Sequence, residues 1–294
     1  MIVLLTGGTG YIGRHVAQSC LMAGWEVHLL TRDTSVMPTL IDGRVTRHDH
    51  DDTFERLCAI LECVRPDCVM HLASAPVMAH DPGQVQRLLD GNVIFPTLLV
   101  EAMRVTGVRN LVNTGTFWQH YRQSDYWPVD FYAATKQAFE DLLRHYSDIQ
   151  GISVITLKLF DSYGPKDPRR KILNILIEAA SSGAALELSA GEQILDLTHV
   201  DDIGKAFVHA AELLGEAATG TNLSYYVSGE RMPLKALVNI IRDKSPTGLD
   251  VILGARSYRE REIMEPVEPG QHALPRWHPR QRVADMIDMM LNGH

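Results

Sequence analysis

No apolar stretch of this 294-residue chain approaches the roughly 18 consecutive residues that a membrane-spanning helix needs. No run of lysine or arginine is present either. The 28 basic residues stand against 36 acidic ones, a formal charge of −8, and Arg169-Arg170-Lys171 is too short a patch to make a nucleic-acid footprint. Small molecules are therefore the expected partners, with neither nucleic acid nor membrane among them. Cysteine is scarce, and Cys20, Cys58, Cys63 and Cys68 form no CxxC pair, so reduced structural thiols are expected. His48 and His50 alternate as a metal pair could, but no third ligand lies within sequence reach and no metal is expected. Internal repeats, low-complexity tracts and long linkers are absent, which argues against independent modules. Met1 leads directly into an apolar run, which leaves no room for a signal peptide and points to a cytoplasmic location.

What is present is a composition of 45% hydrophobic and 22% charged residues, enough for a large core. Apolar runs at 2–5, 27–30, 68–72, 111–113 and 154–160 read as strands, separated by helical patterns around 14–23, 53–63, 84–106 and 132–149. That alternation predicts an α/β fold with a doubly wound parallel sheet, whose ligands bind beyond the C-terminal ends of the strands. From about Tyr163 the pattern loosens and proline punctuates shorter elements. The expected division is a Rossmann-type region over 1–162, to which 193–212 returns, and a smaller, less regular substrate-binding region over 163–192 and 213–294.

The first strand runs into Thr6-Gly7-Gly8-Thr9-Gly10-Tyr11-Ile12-Gly13 and then into a helix. A glycine turn between a buried strand and a helix leaves the first-turn N–H groups free to hold a pyrophosphate. Gly7 permits the turn, Gly10 lets the backbone approach the phosphate, and Gly13 lets helix and strand pack closely. Further on, Tyr132 and Lys136 lie four apart at the start of a helical pattern, hence on one face. A tyrosine with a pKa near 10 needs help to exchange a proton at neutral pH, and a neighbouring ammonium supplies it. Tyr132 is thus a candidate general acid/base with Lys136 as its tuner.

These features, in order, resemble the extended short-chain dehydrogenases/reductases, the nucleotide-sugar epimerase, dehydratase and reductase family, over nearly the whole chain. The glycine turn, Asp49, His71-Leu72-Ala73-Ser74, Asn92-Val93, Thr116, and Tyr132 with Lys136 all match the family pattern. Lys158 to Pro165 approximates its RxxNxYGP, and Leu195 to Asp202 its RDxxHVDD. The resemblance implies that Thr116 hydrogen-bonds the substrate oxygen, that Tyr132 exchanges a proton with it, and that Lys136 also holds the nicotinamide ribose. Implied cofactor contacts are Gly7, Thr9, Gly10, Tyr11, Ile12 and Gly13 in the turn, and Thr31 and Arg32 after the second strand. Asp49 and His50 belong near the adenine and Leu72, Ala73 and Ser74 near the cofactor's middle, with Asn92, Thr114 and Leu159 completing the set. Substrate contacts are expected from Thr116, Phe117, Trp118, Asp161, Arg169, Arg231 and Arg259. The family also dimerises through the helices at about 84–106 and 132–149, which makes a homodimer the expected state.

Thr31 stands where NAD-dependent members carry an acidic residue, and Arg32 follows with a cation suited to a 2′-phosphate. NADP is therefore expected, with NAD the alternative, because Asp33 could neutralise Arg32 or bind a ribose itself. Phe117 and Trp118 occupy the two positions after Thr116 where the family's dehydratases carry Asp-Glu, so dehydration is not expected. The leading expectation is an NADP-dependent reductase of a keto group, at C4, on a nucleotide-activated deoxysugar. A 4-epimerase with tightly held NAD is the second reading, and a non-catalytic dinucleotide sensor the third.

Overall fold

A computed structural model describes residues 1–32, 44–75 and 82–291, so Asp33 lies outside the described residues. The first half alternates strand and helix: β1 (Ile2–Thr6), α1 (Tyr11–Met22), β2 (Glu26–Thr31), β3 (Val45–Asp49), α2 (Phe54–Val64), β4 (Cys68–His71), α3 (Val85–Leu89), α4 (Phe95–Thr106), β5 (Asn110–Thr116), α5 (Phe131–Gln150) and β6 (Ser153–Leu159). The second half runs β7 (Asp161–Tyr163), α6 (Ile172–Ser182), β8 (Leu186–Glu187), β9 (Ile194–His199), α7 (Val200–Glu216), β10 (Asn222–Val227), β11 (Glu230–Pro233), α8 (Leu234–Lys244), β12 (Val251–Ile252) and α9 (Val283–Leu291). Seven strands form one sheet in the order β10-β6-β5-β4-β1-β2-β3, with every pairing parallel. This is the Rossmann arrangement, and its strand order reverses between β1 and β4, where a ligand crevice opens.

Both faces of the sheet are covered, which is why its strands read as unbroken apolar runs. Alternate side chains of β1 go to opposite faces: Val3 and Leu5 pack with Val16, Ala17, Ile203 and Phe207 of α1 and α7, and Leu4 packs with Leu57, Leu61, Leu99 and Phe139 of α2, α4 and α5. A separate cluster built from α6, α8 and α9, including Leu176, Leu237, Ile241 and Ile287, forms the core of the smaller region.

Of 193–212, expected to return to the Rossmann-type region, α7 packs into the core on one face of the large sheet, while β9 joins β7 and β11 in a small three-stranded sheet. The large sheet also takes in β10, from the region expected to bind substrate, which pairs with β6 along its length. Its polar Asn222 and Ser224 and its exposed first half weaken the apolar signal, as befits an edge strand. The helix expected over 84–106 is interrupted by a π-helical turn at Asp90–Ile94 between α3 and α4. Among the described residues no helix is long and apolar enough to cross a membrane.

Candidate active site

The glycine turn sits at the C-terminal end of β1, at the reversal of strand order. Gly7 has φ +70°, and a Cβ there would lie 2.6 Å from the Ala73 backbone nitrogen. At Gly13 a Cβ would lie 2.0 Å from the Gly7 carbonyl oxygen, so neither position admits a side chain. Gly10 caps α1 with no side-chain hydrogen bond, which leaves the first-turn N–H groups unsatisfied by the protein. Thr9 and Gly10 are exposed there and Ile12 is half-buried. A cradle without side chains under a free helix N-terminus fits the diphosphate of a dinucleotide. Thr6 braces the next strand end, its hydroxyl bonded to His71 Nδ1 at 2.8 Å and accepting from Ala73 N at 3.1 Å. Leu72 N donates to the Thr6 carbonyl.

The ends of β2 and β3 form the flank of the crevice. Thr31 is buried and donates to Asp49 Oδ1 at 3.4 Å, while its carbonyl accepts from His50 N. The His50 ring stacks on Phe95 at 5.2 Å between centroids. Burial first, and the Arg32 guanidinium after it, push the His50 imidazole below its usual pKa, against the pull of Asp52 and Asp51. Arg32 itself is exposed.

On the other side of the crevice, α5 starts at the N-cap Asp130, whose carboxylate accepts from Ala133 N at 2.8 Å. In the first turn, Tyr132 is hydrogen-bonded to Ser74, and burial raises its phenol above the ordinary value. Lys136 is 2% exposed, and burial pushes its ammonium down to about 8 against the opposing charge of Glu140. Thr116, the last residue of β5, is also buried, and its hydroxyl accepts from Trp118 N at 3.3 Å. Thr114 donates to the His71 carbonyl at 2.7 Å, and Leu159 ends β6 in register with Thr116. β5 and α5 thus bring Thr116 and the Tyr132–Lys136 turn to one end of the sheet.

Beyond them lies a cleft of about 1060 Å³, walled by Phe117, Trp118, Phe131 and Asp161 on the side of the large sheet. Phe117 stacks on Phe160 at 4.9 Å and meets Trp118 edge-on. The opposite wall contains Leu188, Leu195 and Leu234 and the cations Arg170, Lys171, Arg256, Arg259 and Arg261. Lys171 lies 3.6 Å from Asp161, Arg256 lies 3.8 Å from Glu187, and Arg261 donates to the Pro128 carbonyl. Among the described residues the guanidiniums of Arg170 and Arg259 are spent on no carboxylate. Of the other loop aromatics, Tyr121 and Trp127 pack on each other at 5.4 Å with Arg122 above both rings, outside the cleft wall.

Three expected ligand contacts are engaged elsewhere. Asn92, held in the π turn, accepts from Ser74 Oγ and Ala75 N and donates to the Ala75 carbonyl and Thr135 Oγ1, which uses its whole hydrogen-bonding capacity inside the protein. Arg169 is held by Asp167 at 2.6 Å and Ser162 at 2.9 Å and lies over the Tyr11 ring at 4.7 Å, a ring that Arg14 also approaches, at 4.9 Å. Arg231 donates to Asp196, Glu268 and the Val267 carbonyl. Neither arginine lines the cleft. Sequence reading in turn missed Gln119 and Glu140, which join Thr116 and Lys158 in a buried network. The lysine within the otherwise apolar run of β6 is the signal that could have exposed it.

Among the described residues no group of His, Cys, Asp or Glu could hold a metal ion. The comparisons with known proteins agree with the geometry. The family model described as "NAD dependent epimerase/dehydratase family" matches residues 3–223. A CDP-abequose synthase of Yersinia pseudotuberculosis is 30% identical over 268 residues, covering 90% of this chain and 92% of that one. A UDP-glucose 4-epimerase of Corynebacterium glutamicum is 24% identical, covering 83% and 80%. Among solved structures, the Thermus thermophilus UDP-glucose 4-epimerase complex with NAD superposes with a TM-score of 0.80 at 23% identity, over 100% of this chain and 98% of that one. The Stenotrophomonas maltophila UDP-glucose-4-epimerase reaches 0.87 at 18%, over 100% and 97%. The chain belongs to the NAD dependent epimerase/dehydratase family, the extended short-chain dehydrogenases/reductases, and is an NAD(P)-dependent enzyme of that kind.

Proposed function

We propose that the chain reduces the C4 keto group of a nucleotide-activated deoxysugar, with NADPH as the reductant and cytidine diphosphate as the sugar's carrier. The observation that carries this reading is the Tyr132–Lys136 turn of α5, set at the sheet end that carries Thr116 and next in sequence to Phe131, which lines the cleft with Phe117, Trp118 and two uncommitted guanidiniums. The nicotinamide, when bound, supplies the hydride. Tyr132, protonated throughout the neutral range, gives its proton to the carbonyl oxygen as that oxygen takes up charge. Lys136, four residues on along the same face of α5, would favour the transfer with its positive charge. The Thr116 hydroxyl sets the direction of the oxygen's second hydrogen bond. Phe117 and Trp118 give the sugar ring a flat apolar wall. Arg170 and Arg259 offer paired donors to a diphosphate. The cytidine carrier rests on the likeness to the CDP-abequose synthases, and the choice of NADPH on Arg32. A homodimer through α4 and α5, which expose Val105, Leu142 and Ile149, is part of the same reading.

The test is to denature the purified protein, identify any released dinucleotide by mass, and titrate the emptied protein with NADPH and NADH. An exchangeable site that prefers NADPH supports the reductase. Stoichiometric, non-exchanging NAD overturns it in favour of a 4-epimerase.

A further inference from the structure

Lys136 is not the only lysine buried behind the cleft. The chain has seven lysines, and a second, Lys158 of β6, is 6% exposed. One carboxylate stands near both: it pairs with Lys158 and acts on Lys136 through its charge. Glu140 lies one helical turn beyond Lys136 on the same face of α5, and its Oε2 is 3.3 Å from Lys158 Nζ. Glu140 Oε1 accepts from Gln119 Nε2 at 2.9 Å. Gln119 in turn accepts from Thr116 N at 2.9 Å and donates to Gln137 Oε1 at 2.7 Å. Lys158 Nζ has a second acceptor, His120 Nε2 at 2.7 Å, which is closer than Glu140. His120 Nδ1 donates to the Ser124 carbonyl at 3.1 Å, which fixes the neutral tautomer that leaves Nε2 free to accept. The imidazole thus draws the second ammonium toward the loop and leaves part of the carboxylate's charge for Lys136.

We infer that Glu140 is a positioning residue, the common counter-ion of two buried lysines, which keeps Lys136 charged and, through Gln119, holds Thr116 in place against α5. The other ionisable groups facing this set are His71 from β4, Tyr226 from β10, and His120 and Asp125 from the loop after β5. Burial pushes His71 down to about 3 and His120 to about 4, and pushes Tyr226 up to about 12. Lys136, near 8, therefore titrates apart from all of them. The inference deepens the role given to Lys136 in the proposed reaction, but its test uses neither cofactor nor substrate and can fail while that reading stands.

Seven lysines make the test direct. Protein labelled with ¹³C at lysine Cε is titrated by NMR, and the Lys136 resonance is assigned by its loss in Lys136→Met. A midpoint near 8 is expected, far below the ordinary lysine value. Glu140→Gln, which keeps an acceptor for Gln119 but removes the charge, moves it down by about a unit or more. Lys158→Met, which leaves Glu140 to Lys136 alone, moves it up, and Glu140→Asp keeps it close to the parent value. Thermal melts establish which variants are folded, and any one charge-changing variant that folds decides the matter. A Lys136 midpoint unmoved in a folded Glu140→Gln or Lys158→Met variant overturns the inference, as does one that moves in the same direction in both.

Discussion

A phenol and an ammonium four residues apart were legible from spacing alone, because a helix imposes that proximity without help from the rest of the fold. Their environment was not. Burial holds Tyr132 protonated and lowers the Lys136 ammonium to about 8, and both effects depend on elements far away in sequence. Tyr132→Phe removes the hydroxyl, and with it the proton donor and the bond to Ser74, but leaves the ring. Turnover should fall by about 10²-fold or more while NADPH affinity, measured by fluorescence titration, stays within a few fold. Loss of binding instead would contradict the role given to Tyr132. Gly13→Ala acts in the opposite sense: a Cβ 2.0 Å from the Gly7 carbonyl oxygen forces the turn apart. Overpacking of this kind costs ~1–3 kcal/mol or more, and NADPH binding should be lost with it. Retained affinity in a folded Gly13→Ala would show that the turn is not the cofactor cradle. Arg169 and Arg231 illustrate where residue-level reading stops. As sequence they are free cations, whereas in the fold the buried carboxylates of Asp167 and Asp196 hold them.

At the scale of elements, the sheet was read correctly wherever strands are buried on both faces, because such strands are continuous apolar runs. β10 escaped because an edge strand needs an apolar side chain only where it is covered. The π turn escaped because no residue type announces it; its product is visible only once Asn92 is seen to reach across to Ser74, Ala75 and Thr135. That turn joins the segment after β4 to Thr135, in the second turn of α5. Asn92→Ala strands the Ala75 N–H and carbonyl, and should cost about 1–3 kcal/mol per group left unpaired. Chemical denaturation checks this, and a change below about 0.5 kcal/mol would contradict the account.

Across the whole molecule, the charges at the crevice are set by packing between elements that local pattern does not join. His71 and His120 are kept neutral by burial, down to about 3 and about 4, while an unfolded imidazole binds a proton below about 6.5. The unfolded state therefore binds more protons in that window, and stability falls as pH drops through it, by up to ~1.4 kcal/mol per pH unit for each group. Denaturation midpoints between neutral pH and about pH 4.5 should decline accordingly, and a flat profile would contradict the buried, neutral state of these rings. Lys136 acts at the other end of the scale. Its charge is lost as pH rises through about 8, and turnover should fall along that limb.

In the proposed reaction, hydride reaches a sugar carbonyl while Tyr132 protonates its oxygen. The most direct measurement incubates the protein with NADPH carrying deuterium at nicotinamide C4 and a CDP-activated 4-keto-deoxysugar, and then locates the label by mass spectrometry and NMR. Stoichiometric deuterium on C4 of the sugar, with NADPH consumed, is the predicted result. Recovery of the 4-keto sugar with no deuterium at C4 and no net oxidation of NADPH would contradict it.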